Sequence, residues 1–136
     1  MPKTYQLRQT QYDAAMRGAD VAAFGFAYAG DDVTWWAVRD GGEIKAFCGL
    51  DMLHREDAAI LCRAWISPSL RGSGLHRRMV RARERCAASG DVERLVSYTA
   101  RHNCKSANTL IRCGYRTYEP EHEWGLEGCT YWFKII

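Results

Sequence analysis

The stretch ISPSLRGSGLHRRM, residues 66–79, is the part of the sequence from which the fold is best predicted. A short apolar run ends in Ser-Pro, and an arginine and two glycines spaced one residue apart precede a helix-like pattern. Glycine has no Cβ, so a ligand can approach such a turn closely. The first N–H groups of a helix have no internal partner and carry partial positive charge. The turn therefore predicts either a cradle for a diphosphate or a tight strand-to-helix connection with a solvated arginine face.

Two common nucleotide-binding loops do not match this turn. A Walker loop requires Gly-Lys-Ser/Thr, which does not follow the glycines. A dinucleotide fingerprint is also a poor match, because His76 stands where its third glycine would begin to matter.

Upstream of the turn, the chain begins with strand-like and helix-like patterns. TYQLRQ, residues 4–9, alternates as a first strand does. Residues 11–28 contain helix formers interrupted by Gly18 and Gly25, which predicts two short helices or one helix and a loop.

Three further strands are predicted before the turn. Residues 33–52, VTWWAVRDGGEIKAFCGLDM, contain two strand-like runs joined by Asp40-Gly41-Gly42, a strong hairpin signal. Residues 58–67, AAILCRAWIS, are mostly apolar, as expected for a strand covered on both faces.

A helix is predicted directly after the turn. Its apolar residues recur at spacings of four, three and four, which draws one stripe: Leu75, Met79, Ala82 and Cys86. Charged residues are expected elsewhere on its surface: Arg77, Arg81, Glu84 and Arg85. Gly90 is the expected end of this helix.

The remaining chain predicts a strand, a short helix and two strands. RLVSYTA is the strand, and SANTLIRCGY is a helix that begins near Ser106 and ends at Gly114. YRTYE and CTYWFKII are the last strands, on either side of an acidic loop. The order is strand, helices, three strands, helix, strand, helix, two strands, which indicates a mixed α/β (α+β) fold with helices on the faces of a sheet.

Length and composition favour one globular domain, 1–136. Apolar residues make up 47% and charged residues 26%, which is unlike a disordered chain. No apolar run approaches the roughly 20 residues that span a bilayer, and the N-terminus lacks a signal-type apolar segment. We therefore expect a cytoplasmic protein without membrane contact. The net charge of +3 is too small to argue nucleic-acid binding by itself.

The cysteines favour reduced structural residues over a metal site. None of the six forms a Cys-x-x-Cys pair, and no histidine follows at zinc-finger spacing. Most have apolar neighbours, where a free cysteine behaves as a small hydrophobe. No metal is expected.

A second motif follows the predicted strand 94–100. In RHNCKSANTLIRCGY, Asn103 follows the strand, Ser106 comes three residues later, and Gly114-Tyr115 end the helix. Together with WISPSLRGSGL and the hairpin, this resembles the GNAT superfamily of N-acetyltransferases over residues 34–118. The resemblance implies a mixed, mostly antiparallel sheet with a splayed central strand pair, flanked by about four helices.

The resemblance also implies acetyl-CoA as co-substrate. Its pantetheine arm would pair with backbone of the central strand, and its diphosphate would lie on the glycine turn. Asn103 would contact the arm, although a helix-entry role is an alternative. His76 would either help bind phosphate or lie on the surface. The cofactor-binding residues implied are Ala64, Trp65, Ile66, Arg71, Gly72, Ser73, Gly74, Leu75, His76, Arg77 and Asn103.

Two departures from the family pattern concern proton transfer. Leu110 stands where many members carry the tyrosine that protonates the leaving thiolate, and leucine cannot donate a proton. The central strand offers Arg63 but no carboxylate as base. Tyr98 is a candidate for proton relay, with sheet packing as the alternative. Ser106 is a second candidate, with helix capping as the alternative.

Three functions remain open from the sequence. The first is an N-acetyltransferase acting on a primary amine, with α-amines favoured because no base is evident. The second is a CoA-binding or structural protein that has lost catalysis. The third, a nucleic-acid-binding module, is disfavoured because the arginines of the predicted helix circle it and Glu84 interrupts them. The oligomeric state is open, a homodimer included.

The acceptor would enter between the early helices and the last hairpin, by the same resemblance. There the acids Glu119, Glu121, Glu123 and Glu127 could attract a cationic amine, or simply form a solvated turn. Aromatic residues could line the other wall or pack in the core: Phe24, Phe26, Tyr28, Trp35 and Trp36.

Overall fold

The computed structural model describes residues 5–52 and 58–136, in which seven strands form one sheet. The strands are β1 (Arg8–Thr10), β2 (Val33–Asp40), β3 (Glu43–Asp51), β4 (Ala58–Ile66), β5 (Arg94–Thr99), β6 (Arg116–Tyr118) and β7 (Thr130–Ile135). The helices are α1 (Ala14–Phe24), α2 (Leu75–Ser89) and α3 (Cys104–Arg112), with a 3₁₀ turn at Pro68–Leu70. The strand order is β1-β2-β3-β4-β5-β7-β6, and every pair is antiparallel except β4–β5. The predicted fold class and element order are confirmed, with three α-helices and one 3₁₀ turn where about four helices were expected.

The N-terminal elements are shorter and simpler than the sequence patterns. The strand predicted at 4–9 pairs with β2 only over Arg8–Thr10, and residue 4 lies outside the described residues. One helix, α1, contains Gly18 without a break. Asp13 caps it by accepting the N–H of Met16 at 2.9 Å, and it ends at Gly25, where φ is 87°. One helix and a loop is therefore the correct alternative.

The β2–β3 hairpin forms at the predicted dipeptide. Gly41 and Gly42 have φ of 59° and 89°, and Asp40 pairs directly with Glu43. Two positive φ values are the requirement of a type I′ turn, whose twist matches that of the strands.

The sheet separates two apolar cores. The larger core lies under α2 and α3 and includes Val38, Leu50 and Met79. The smaller core lies under α1 and contains Met16, Trp35, Ala37, Ile44 and Phe47. Strands β2 and β3 are buried on both faces because helices cover both sides of the sheet.

The buried face of α2 differs from the predicted stripe. The buried residues are Leu75, Met79, Val80, Arg83, Glu84 and Ala87, whereas Ala82 and Cys86 are only partly buried. The expectation that Glu84 lies on the surface is wrong, because its carboxylate binds Lys134 Nζ and Arg81 Nη1, each at 2.8 Å. The apolar periodicity did not predict this buried face, because two of its residues, Arg83 and Glu84, are charged and are buried with internal partners.

Strands β4 and β5 separate after a short parallel contact. They pair only from Ala58–Arg94 to Ile60–Val96, and β4 then continues along β3 alone. A bulge at Arg63, with φ of 49°, shifts the β3–β4 register between Cys48–Ala64 and Gly49–Cys62. The predicted splay is thus present, and the backbone of β4 beyond residue 61 has no ladder partner on its β5 side.

Candidate functional site

A groove of about 730 Å³ lies beside the part of β4 that β5 leaves unpaired. Three separate segments line it: Ala64–Ile66 of β4, residues of the glycine turn between Leu70 and Arg77, and the start of α3 at Asn103 and Ser106. The two sequence motifs are therefore brought together on one cavity, whose size is typical of small-molecule sites.

The glycine turn presents open backbone to this groove. Gly72 and Gly74 have φ of 79° and 78°, and a Cβ built on either would meet no atom within 4 Å. Arg78 N–H donates to Gly74 O at 3.2 Å as the first bond of α2, so the N–H groups of residues 75–77 have no partner within the helix. No side chain caps the helix either. This arrangement suits an anion.

Some side chains of the turn stabilise its conformation, and others supply positive charge to the groove. Ser73 Oγ donates to Leu70 O at 2.6 Å, and Ser73 is not among the lining residues, so its hydroxyl stabilises the turn. Arg71 Nε donates to Ile66 O at 3.0 Å and ties the turn to β4. Burial, and then the charge of Arg83, lowers the pKa of His76 to about 4, so its imidazole is neutral at pH 7. Positive charge on the turn side of the groove therefore comes from Arg71 and exposed Arg77.

Asn103 is the N-cap of α3. Its Oδ1 accepts the N–H of Ser106 at 3.3 Å, so the helix begins at Cys104, two residues before the predicted start. Ser106 is the donor in this bond and not the cap, which corrects the capping alternative for Ser106. Both residues still line the groove.

Sequence reasoning missed the rest of the α3 face. Lys105, Thr109 and Arg112 also line the groove. Their spacing of four and three residues is that of one helical face, so a helical wheel drawn from Asn103 would have found them.

The two positions in question for proton transfer lie elsewhere. Leu110 is 4% exposed and belongs to the larger core, away from the groove lining. Tyr98 packs against Trp124, with ring centroids 5.5 Å apart, and against Gly125. Burial raises the pKa of Tyr98, opposed by the charge of Arg63, so the phenol stays protonated at neutral pH. It can donate a proton but does not serve as a base there.

Comparison with known families identifies the chain. The model of the acetyltransferase (GNAT) family matches residues 1–115. This protein belongs to the GNAT acetyltransferase family. No curated protein sequence matches it.

Solved structures share the GNAT fold over nearly the whole chain. A Klebsiella pneumoniae protein assigned as an acyl-CoA N-acyltransferase is 21% identical with a TM-score of 0.81, covering 96% of this chain and 97% of that one. Arabidopsis thaliana NAA60, solved with a bisubstrate analogue, is 12% identical with a TM-score of 0.76, covering 97% and 98%. Escherichia coli ribosomal-protein-S18-alanine N-acetyltransferase is 11% identical with a TM-score of 0.75, covering 98% and 94%. Identities this low show likeness of fold alone.

A buried arginine of α2 contacts the bulge in β4. Arg83 is 2% exposed, and its Nε donates to Met79 O at 3.1 Å. Its Nη1 donates to Gly49 O at 3.3 Å and Arg63 O at 3.4 Å, two carbonyls at the register shift between β3 and β4. The sequence gives one weak signal for this role, the spacing of Arg83 four residues after Met79.

The arginines of α2 correct a second expectation. Arg77, Arg78, Arg81 and Arg85 line one groove with Trp36, whereas Arg83 is buried. They therefore do not circle the helix, so the expectation that they do, which was one part of the argument against nucleic-acid binding, is wrong. No helix among residues 5–52 and 58–136 is long and apolar enough to cross a membrane.

The cysteines are unpaired in the structure. Burial raises the pKa of Cys48 to about 11 and that of Cys62 to about 12, so both remain thiols at neutral pH. The described parts of the chain contain no group of three or more metal-ligating His, Cys, Asp or Glu residues.

The acidic loop packs over the last hairpin. Trp124 Nε1 donates to Tyr118 Oη at 3.3 Å, and Gly125 N–H donates to Tyr131 Oη at 2.9 Å. The four glutamates of this loop are exposed. On the other side, Trp35 and Trp36 are core residues, each 6% exposed, whereas Phe26 is 62% exposed.

Proposed function

We propose that this protein is an acetyl-CoA-dependent N-acetyltransferase that moves an acetyl group to a primary amine by direct attack in a ternary complex. The observation that carries the proposal is the groove in which unpaired β4 backbone, the open glycine turn and the start of α3 meet. Membership of the GNAT family supports it.

The residues around the groove fit coenzyme A. The N–H groups of Gly72–Arg77 would bind the diphosphate, because a Cβ is absent at both glycines and the helix N-terminus favours an anion. The free edge of Ala64–Ile66 would pair with the amides of the pantetheine arm. Asn103 uses Oδ1 for its cap, which leaves its Nδ2 to donate to the arm. Acetyl-CoA would supply a thioester, and these residues would hold it where β4 and β5 separate.

In the proposed reaction the amine lone pair forms the new C–N bond and the C–S bond of the thioester breaks. The thiolate leaves and accepts a proton, and the nitrogen releases one to solvent. Tyr98 is our candidate donor, because its phenol is protonated and lies on β5 across the splay. Ser106, on the groove lining, is the second candidate. General acid–base help of this kind is typically worth about 10²–10⁴-fold.

An α-amine is the favoured acceptor. Deprotonating a lysine-like amine of pKa about 10.4 at pH 7 costs ~4.6 kcal/mol, whereas an α-amine near 7.7 costs ~1 kcal/mol. The bulge position carries a guanidinium, Arg63, instead of a carboxylate that could take the proton. The name of the Escherichia coli structural neighbour, an alanine N-acetyltransferase, agrees with this class.

The first experiment is calorimetry of the purified protein with acetyl-CoA and with free CoA. Ligand at a hundredfold excess over Kd should stabilise the fold by about 2.7 kcal/mol, which thermal unfolding would detect. Release of CoA with a panel of amines then tests turnover, with α-amine peptides first. Acetylation of ε-amines without α-amine activity would contradict the assigned acceptor. Tyr98→Phe and Ser106→Ala then identify the proton donor: replacing the donor should lower kcat by a larger factor than it changes the affinity for CoA.

One observation favours a second candidate, a CoA-binding protein without catalysis. Leu110, which by the resemblance stands where many family members carry a tyrosine, is buried in the core and does not line the groove. Tight acetyl-CoA binding with no acetylation of any amine would establish this alternative. No binding at millimolar ligand would refute both candidates.

A further inference from the structure

Arg63 occupies an unusual position on the central strand. It is the extra residue of the β4 bulge, with φ of 49°, a conformation that side chains other than glycine rarely adopt. Its side chain is only 8% exposed. Such strain persists where the surrounding contacts hold it, so these contacts indicate what the residue does.

The guanidinium of Arg63 joins β4 to α1 and to the loop that follows it. Its Nε lies 3.0 Å from Oδ1 of Asp20, a carboxylate with 0% exposure. Oδ2 of Asp20 accepts from Tyr12 Oη at 2.6 Å and from the N–H of Tyr28 at 2.9 Å. Nη2 of Arg63 donates to Phe26 O at 3.0 Å. Arg63 therefore holds the 24–28 segment directly at Phe26, and at Tyr28 through Asp20.

Three aromatic rings surround the same guanidinium, and we call Phe24, Phe26 and Tyr28 the aromatic wall. Their centroids lie 4.3, 4.7 and 5.4 Å from Cζ of Arg63. These are cation–π distances. Phe26 remains 62% exposed although it is a large apolar side chain. Because Arg63 holds this ring in place and its outer side is accessible, the ring can pack against an apolar group of a ligand.

The aromatic wall lies next to the site of the proposed reaction. Ala64, the residue after Arg63, lines the groove, and Arg83 holds the carbonyl of Arg63 from the other face of the sheet. The charge of Arg63 also lowers the pKa of Tyr98 on β5, against the larger rise caused by burial. Leu95 of β5 belongs to the larger core under α2 and α3, so Tyr98, three residues on, faces the α1 side of the sheet, where Phe24 and Tyr28 also pack.

We propose that Arg63 is a positioning residue that holds the aromatic wall as one side of the acceptor site, where the exposed ring of Phe26 selects amines bearing an apolar substituent. The proposal rests on the proposed function. Asp20 balances the charge of Arg63, so the wall presents rings to the acceptor and not a bare cation.

The test compares two peptides with free α-amines, Phe-Gly-Gly and Gly-Gly-Gly, as acceptors. Wild-type protein should prefer Phe-Gly-Gly. Phe26→Ala changes an exposed side chain and leaves the fold intact, and it should raise the KM for this peptide about tenfold, with little effect on Gly-Gly-Gly. Arg63→Lys keeps the positive charge and a side chain with a Cβ at this positive φ, but it loses the planar guanidinium. It should therefore also raise the KM for Phe-Gly-Gly with little effect on Gly-Gly-Gly.

The controls separate positioning from general damage. Arg39→Met removes another arginine that pairs with α1, through Asp13 at 3.0 Å, and should leave the peptide preference unchanged. Affinity for CoA should stay within twofold in all three variants, and acetyl-CoA hydrolysis without acceptor should stay within twofold in Arg39→Met. A preference that Phe26→Ala does not move, or an equal fall in acceptor-free hydrolysis, would overturn the proposal.

The wild-type protein reports on the underlying function separately. Failure to bind acetyl-CoA would overturn the proposed function and this role with it. If acetyl-CoA binds without turnover, the affinity of each peptide for the CoA-loaded protein is measured instead of KM. Wild type and Arg39→Met should then bind Phe-Gly-Gly more tightly than Phe26→Ala and Arg63→Lys do. A normal wild-type enzyme with an unmoved preference would refute the role of Arg63 alone.

Discussion

Replacing Gly74 with alanine tests whether the turn is shaped for a ligand. Gly74 has φ of 78°, and its built Cβ meets nothing within 4 Å, so the penalty is one of backbone conformation and not of a clash. For a residue with a Cβ this region costs roughly 1–2 kcal/mol. At an unfolding entropy of about 2.1 cal/mol/K per residue, a chain of 136 residues should lose ~3–7 °C in Tm.

Gly18→Ala is the matched control with the opposite sign. Gly18 lies inside α1 without a positive φ, and its built Cβ also meets nothing within 4 Å. Alanine there should stabilise the protein by about 0.5–1 kcal/mol, because glycine is the poorer helix former. Thermal unfolding of both variants measures the two signs under identical conditions.

Calorimetry with CoA then measures the second consequence. Gly74 lines the groove and its Cβ position is open, so a methyl there would take space that a bound diphosphate needs, and Gly74→Ala should weaken CoA binding about tenfold or more, equal to ~1.4 kcal/mol. Gly18→Ala should leave the affinity unchanged. A destabilised Gly74→Ala that binds CoA as tightly as wild type would refute the cradle, and an unchanged Tm would refute the conformational argument.

Three further predictions concern ionisable side chains that are largely buried. Arg83→Met leaves the carbonyls of Gly49 and Arg63 without this donor, at a cost of about 1–3 kcal/mol each, partly offset by the removal of a buried cation. Urea unfolding should therefore show that the free energy of unfolding falls by ~1–3 kcal/mol. Equal stability of the variant and the wild type would contradict this prediction. The pKa of His76 is lowered to about 4, so the folded state binds fewer protons than the unfolded state and stability should fall from pH 6.5 toward 4. His76→Gln should flatten that part of a Tm–pH profile, and an identical profile would count against it. Burial raises the pKa of Glu84, but bonds from Lys134, Arg81 and Tyr115 outweigh it and hold the pKa below 4.5. Glu84→Gln should destabilise the protein at pH 7, and the difference should vanish as pH falls from 4.5 through that lowered pKa, as acid-induced unfolding curves would show.

The fold was largely predictable because its signals are local. The Gly41-Gly42 turn, the capping glycine at position 90 and the apolar runs each act within a few residues of chain. Boundaries were less predictable where a side chain competes with the pattern, as at Asn103, whose cap starts α3 early.

The candidate site divides in the same way. The sequence by itself determined the glycine turn, because only glycine adopts these positive φ values freely and two of them stand before a helix. It also determined that position 110 carries a leucine, which cannot donate a proton. Only the tertiary structure decided the roles of Arg63 and Arg83. Both depend on one bulge in β4, and a register shift between strands is set by packing across the sheet, which no run of neighbouring residues encodes.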